Sequence, residues 1–258
     1  MSTSGLAVSG RGSIERPVSG GSDHHCLGDL QGPTEVDRWS QAWLEHASHY
    51  TDRVVNASRR VREQDCQREL VFCLLGGHGV KYELALSATQ VLVGRGVLGR
   101  CTRSGDRLQR WLQDLLGRPW YQPAKLDGAG RRYRYPKRKA LLLRQADDWL
   151  REHTHDGLLV QLATIDDERE RRTWLCGCPG VGPKTASWLL RNIGLGDDLA
   201  ILDVHLLRAL EATGRAGEWR LPKHYLELEN AFLQWSASLS AHPAAFDLFL
   251  WEFQRGDL

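Results

Sequence analysis

No stretch of this sequence stays apolar long enough to cross a bilayer, and the N-terminus lacks the apolar core of a secretion signal. A soluble, cytoplasmic chain with no membrane partner is expected. An excess of one charge is also missing. The 34 Lys and Arg residues stand against 32 Asp and Glu, a net charge of +2, so affinity for nucleic acid has to come from local basic clusters. The six cysteines (Cys26, Cys66, Cys73, Cys101, Cys176, Cys178) show no zinc spacing. Cys176 and Cys178 are spaced like a redox pair, but they lie against a turn where small residues pack, and packing is the preferred reading.

What is present is helical periodicity. At 258 residues the chain is long enough for one large domain or two small ones. Residues 1–33 are rich in Gly and Ser and read as a flexible arm. Its His24, His25 and Cys26 are metal-ligand types without a fourth ligand nearby. Residues 34–258 form the folded domain. Trp39, Trp43 and Leu44 give a helical stripe over 34–50. Further helices are expected over 64–75, over 82–93 after the break at Gly76, Gly77, His78 and Gly79, and over 107–116, where Leu108, Trp111, Leu112 and Leu115 share a face.

The most informative stretch is Cys176-Gly177-Cys178-Pro179-Gly180-Val181-Gly182-Pro183-Lys184. Pro179, Gly180 and Gly182 cannot propagate a helix, so this is a turn. Apolar helical spacing precedes it (Leu158, Leu162, Ile165, then Trp174 and Leu175) and follows it (Ala186, Leu189, Leu190, Ile193). The pattern is a helix-hairpin-helix. Gly182 serves as N-cap and Pro183 as the first helical residue, which leaves the N–H groups of the turn unpaired and open to a phosphate. Lys184 falls in the first turn of that helix, where the positive end of the dipole disfavours an ammonium, and an amine so placed is a usable nucleophile. Asp203, nineteen residues later, precedes the apolar-periodic Val204, Leu206, Leu207 and Leu210. An acid there has two jobs open to it, capping and catalysis.

The hairpin with its lysine, followed by Asp203-Val204-His205, resembles the helix-hairpin-helix DNA glycosylases of the endonuclease III superfamily, and within them the 8-oxoguanine DNA glycosylases. The resemblance covers roughly residues 60–258 and is most specific from the hairpin to His205. It implies an all-α fold of two helical subdomains with the active-site cleft between them. The middle subdomain would span about 65–210, and the N-terminal helix and the helices of 220–258 would form the other. It implies that Lys184 attacks C1′ of the damaged nucleotide and forms a Schiff base, while Asp203 stabilises the positive charge developing on the sugar. Gly180, Val181, Gly182 and His205 would grip phosphate. The iron-sulfur cluster that endonuclease III-type enzymes place after this aspartate has no cysteines here to hold it, so no cofactor is expected. The carbonyls of Cys176, Cys178 and Val181 stand where the family can hold a monovalent cation.

The flanks depart from the family pattern. The loop that contacts the base opposite the lesion is Gly76, Gly77, His78 and then Lys81 here, without the family's asparagines. His78 either fills the gap left by an extruded base or belongs to an ordinary helix stop. Residues 131–139 hold six positive residues and two tyrosines, which suits phosphate neutralisation and stacking. Arg132, Arg134 and Tyr135 match the segment that reads the opposite base. Arg131 replaces an aromatic wedge, and Lys137, Arg138 and Lys139 extend the basic run. A solvated loop is the plainer alternative. Trp188 lies four residues beyond Lys184, and Asp247 and Trp251 are four apart, so each pair shares a helix face. Two indoles could sandwich a flipped base while Asp247 reads its edge; alternatively both are core. The family's eukaryotic branch has a small Cys where this chain has Trp188.

The expected activity is a monomeric DNA glycosylase and AP lyase acting on double-stranded DNA with a modified base, 8-oxoguanine-like by resemblance. Two alternatives remain open: a glycosylase for another base, such as a hypermodified base of invading viral DNA, and a non-catalytic module that uses the hairpin only as a grip.

Overall fold

The computed structural model describes residues 35–57, 62–77, 79–97 and 103–256. The N-terminal arm, with His24, His25 and Cys26, and also His78 and Cys101, lies outside the described residues. The fold is all-helical. Its elements are α1 (Glu35–Ala57), α2 (Glu63–Leu75), α3 (Tyr82–Gly94), α4 (Gly105–Gly117), α5 (Pro136–His153), α6 (Leu158–Ala163), α7 (Glu168–Leu175), α8 (Pro183–Asn192), α9 (Val204–Ala212), α10 (Tyr225–Ser238) and α11 (Pro243–Arg255). No described helix is long and apolar enough to cross a membrane.

Two hydrophobic cores organise these helices. The first runs in sequence from Cys66 to Leu199 and is built by α2 to α8. Its centre is α2, whose second half is buried on every side from Leu70 to Leu75, as befits a helix that neighbours surround. The second core joins the two ends of the chain. Trp39, Trp43 and Tyr50 of α1 meet Phe246, Phe249 and Phe253 of α11, with ring centroids 5.0 to 5.5 Å apart, and α9 and α10 complete it. The border falls between Leu199 and Ala200, earlier than the expected 210. Leu206, Ala209 and Leu210 give α9 an apolar face that packs with α10 and α11.

The periodicity also needs correcting in two places. The apolar stretch before the hairpin is not continuous. It breaks after Ala163, and Asp167 starts α7 afresh by accepting the Glu170 N–H at 2.8 Å. The basic run is only partly a loop. Pro136 occupies the first position of α5, and Ala140, Leu143, Ala146 and Leu150 carry its buried stripe.

Candidate active site

The hairpin forms from local chemistry. Just past α7, the N–H groups of Cys176, Gly177 and Cys178 donate to the carbonyls of Arg172, Trp174 and Leu175, and Val181 N–H donates to the Cys178 carbonyl at 3.0 Å. Gly180 has φ +86, and a Cβ there would meet Leu142 and Leu74 at 3.1 and 3.2 Å, so both conformation and space demand glycine. Gly182 is the N-cap of α8 and Pro183 its first residue; no side chain caps this end. The first N–H groups of α8 therefore point out of the hairpin unsatisfied.

Lys184 is the second residue of α8 and half-buried. Its charge is felt by the Cys73 thiol of α2, which burial pushes well above the ordinary thiol range. Among the described residues its ammonium has no hydrogen-bond or ion-pair partner. One turn on, Trp188 packs edge-on to Phe72 with centroids 5.1 Å apart, and a Cβ on Gly76 would strike its ring at 2.9 Å.

Asp203 is the N-cap of α9. Its Oδ1 accepts from the N–H groups of His205 at 2.8 Å and Leu206 at 3.1 Å. Oδ2 has no protein donor among the described residues, so capping leaves one oxygen for chemistry. His205 is half-buried; Gln254 donates to its carbonyl, its ring stands 6.5 Å from Trp251, and its Nδ1 is buried without a partner among the described residues. Trp251 carries the Arg255 guanidinium over its face at 4.3 Å.

Asp247, expected to read a base edge, is held within the protein at one carboxylate oxygen. It is buried, and its Oδ2 accepts from Arg191 at 2.7 Å and from the Ile201 N–H at 2.8 Å. Burial raises its pKa, an effect that the Arg191 charge and the Ile201 hydrogen bond oppose and the nearby Asp203 carboxylate adds to. A carboxylate taken out of water needs such partners.

Lys139 faces inward, donating from Nζ to the carbonyls of Leu74 at 2.5 Å and Gly76 at 2.8 Å, where α2 ends with unpaired acceptors. Burial, with a smaller push from Arg138, lowers its pKa to about 8. Tyr133 is buried and donates to the Leu75 carbonyl, while Arg134 donates to the Gly79 carbonyl and lies 5.1 Å over the Tyr135 ring. Arg131 is tied back by its Nε to the Pro123 carbonyl at 2.9 Å. Arg132, Tyr135, Lys137, Arg138 and Lys81 are exposed.

The free thiols Cys66, Cys73 and Cys178 are buried. Burial pushes Cys178 up to about 12 and also raises Cys176, which fits packing and opposes redox use. A groove of about 470 Å³, lined among others by Asp167, Glu168, Asp198 and Pro243, lies where the two cores adjoin and includes neither Lys184 nor Asp203.

Sequence reasoning missed a buried network that joins the cores. Arg172 of α7 donates to Glu229 of α10 at 2.5 Å, Glu229 also accepts the Ala200 N–H at 3.1 Å, and the Tyr225 hydroxyl donates to the Ala200 carbonyl at 2.7 Å. The only sequence signal was a charge on the apolar face of each helix.

Two helical cores, with a hairpin at the edge of the first and a capping aspartate at the start of α9 in the second, define an all-α helix-hairpin-helix protein. The family model for 8-oxoguanine DNA glycosylase matches residues 51–241, and the chain belongs to that family. It is similar to the 8-oxoguanine DNA glycosylase/AP lyase of Metallosphaera sedula, 29% identical over 203 residues covering 78% of this chain and 87% of that one. The 8-oxoguanine DNA glycosylase/AP lyase of Thermotoga petrophila is 33% identical over 128 residues, 48% of this chain, and the match spans only 58% of that relative's length. Among solved structures, the 8-oxoguanine DNA glycosylase of Thermotoga maritima superposes with TM-score 0.61 at 24% identity, covering 85% of this chain and 95% of that one. The Methanocaldococcus jannaschii 8-oxoguanine glycosylase/lyase, solved with a 15mer DNA containing 8-oxoguanine, gives TM-score 0.65 at 20% identity, covering 86% and 97%.

Proposed function

We propose that this chain is a DNA glycosylase with AP lyase activity, acting as a monomer on double-stranded DNA that carries a modified base. The observation that carries the reading is the pair of groups that no described residue engages: Lys184 without a partner among the described residues at a bare helix N-terminus, and Asp203 with one oxygen capping and the other without a donor among them.

In the proposed reaction Lys184 Nζ, after giving up its ammonium proton to water, forms a bond to C1′ of the flipped nucleotide. The bond from C1′ to the base nitrogen breaks, and its electron pair leaves with the base, which takes up a proton. Asp203 stabilises the positive charge on the sugar as that bond lengthens. Loss of a proton from the nitrogen and opening of the sugar ring give the Schiff base. Removal of a C2′ proton then expels the 3′ phosphate, and water releases the lysine. The unpaired N–H groups at the start of α8, beside the Gly180, Val181 and Gly182 turn, grip the backbone together with His205. Lys81, Arg132, Arg134, Tyr135, Lys137 and Arg138 supply the remaining DNA contacts. Such an enzyme works in the cytoplasm, where bacterial or archaeal DNA lies.

No organic cofactor takes part. The carbonyls of Cys176, Cys178 and Val181 offer a hard, neutral donor set, and Cys178 oxygen keeps a lone pair after accepting from Val181 N–H; they would hold a monovalent cation, which would add positive charge near the turn.

The substrate nearest to the family is 8-oxoguanine. One observation favours testing a wider set. An indole packs against Gly76 at position 188, where the family's eukaryotic branch has a small Cys, and Arg131, standing where the family has an aromatic wedge, is tied to Pro123. A panel of duplexes, each with one modified base and including bulky hypermodified pyrimidines, scored for released base and strand nicking, tests the reading. Failure to process any duplex or an abasic site leaves only a DNA grip.

A further inference from the structure

Residues 199–202 make no helix and pair with no strand, yet side chains hold their backbone at five points. Arg191 donates to the Leu199 carbonyl, Ala200 N–H donates to Glu229 at 3.1 Å, and the Tyr225 hydroxyl donates to the Ala200 carbonyl at 2.7 Å. Ile201 N–H donates to Asp247 at 2.8 Å, and Leu202 N–H reaches the Tyr225 oxygen at 3.4 Å. Asp203 is the next residue.

The holders carry charge that the interior does not welcome. Burying an ion pair is often no more stabilising than a well-packed apolar pair, so stability alone does not account for Arg191 and Asp247. What an apolar pair cannot do is bind a carbonyl with one partner and an N–H with the other. Arg191 belongs to α8, the helix of Lys184, and Asp247 to α11. The pair thus ties three elements together at 2.7 Å, two residues before Asp203. The Asp203 carboxylate is also close enough for its charge to be felt at Asp247.

We infer that Arg191 and Asp247 are positioning residues for Asp203: through the 199–202 strap they set where its carboxylate stands relative to the helix that carries Lys184. The inference rests on the proposed function, since it needs Asp203 to act in the chemical step. A reacting group displaced by about 1 Å can lose on the order of 10²-fold in rate.

The test is a double-mutant cycle read in single-turnover base excision at saturating enzyme, on whichever duplex the parent protein processes best. Asp247→Ala should lower the rate constant on the order of 10²-fold while DNA affinity stays within about twofold. Asp247→Asn, which keeps an oxygen for the Ile201 N–H, should recover much of that loss. In an Asp203→Asn background, Asp247→Ala should cost less than about twofold more, because nothing remains to be positioned. An equal factor in both backgrounds, or a loss confined to the amplitude with the rate constant unchanged, would overturn the inference by reducing the pair to a structural one. Should Asp247→Ala fail to fold, the same cycle with Arg191→Met, which removes the donor to both Asp247 and the Leu199 carbonyl, decides. A parent that excises no base overturns the proposed function and the inference together; an active parent leaves the cycle to judge the strap alone.

Discussion

Lys139 Nζ lies 2.8 Å from the carbonyl oxygen of Gly76, so a residue in a basic run closes the end of α2 and the loop that follows it. With Leu74 as its second acceptor, Lys139 is scaffold and its neighbours Lys137 and Arg138 are the DNA-facing cations. Replacing Lys137 and Arg138 together should reduce the log-log salt slope of DNA binding by roughly two. Lys139→Gln should leave the slope unchanged and lower stability by about 1–3 kcal/mol, as buried carbonyls lose their donor. Salt titrations and urea melts of the two variants distinguish the roles.

The same lysine makes a pH signature. Its folded pKa is lowered to about 8 by burial, below the roughly 10.4 of an unfolded chain. Between those values the unfolded chain holds a proton that the folded one has lost, so this group's contribution to stability rises with pH. Below about pH 8 both states are protonated and the contribution is flat. The stability difference between parent and Lys139→Met should therefore widen from pH 8 to 10. A constant difference would place the ammonium in solvent.

Arg172 and Glu229 are both buried, 4% and 1% exposed. Removing one partner strands the other charge, so Glu229→Ala should lose about 3–5 kcal/mol. Denaturant unfolding checks it; a loss under about 1 kcal/mol would mean that water reaches the pair.

Trp188 and Trp251 are half-buried rather than wholly core. If they wall the base site, Trp188→Ala and Trp251→Ala should slow release of a damaged base, each by roughly 1 to 3 kcal/mol of lost stacking, while cleavage at a ready-made abasic site continues. Gly76→Ala should act in the same direction, because its Cβ would strike the Trp188 ring at 2.9 Å. Equal loss of both activities assigns the indoles to packing.

The parts of this protein legible in its sequence are those set by near neighbours. Gly182 and Pro183 start α8, and Asp203 caps α9, because capping is decided within a turn of chain. The stripe of Trp39 and Trp43 also followed from periodicity, whereas the expectation of two helical subdomains came from the family resemblance. The inward bonds of Asp247 and Lys139 are not legible in the sequence because their partners lie 56 and 63 residues away. A carboxylate beside a tryptophan on one helix face, or a lysine in a basic run, looks the same whether it points outward or inward. Arg172, Glu229 and Tyr225 gave less signal still, since only the fold brings the Ala200 backbone between them.

The most direct measurement is borohydride trapping of the parent protein and Lys184→Ala on a duplex containing an abasic site. The parent should become covalently attached to DNA and Lys184→Ala should not, with Asp203→Asn folded and binding DNA but turning over far more slowly. Trapping of Lys184→Ala at the parental level would contradict Lys184 as the nucleophile.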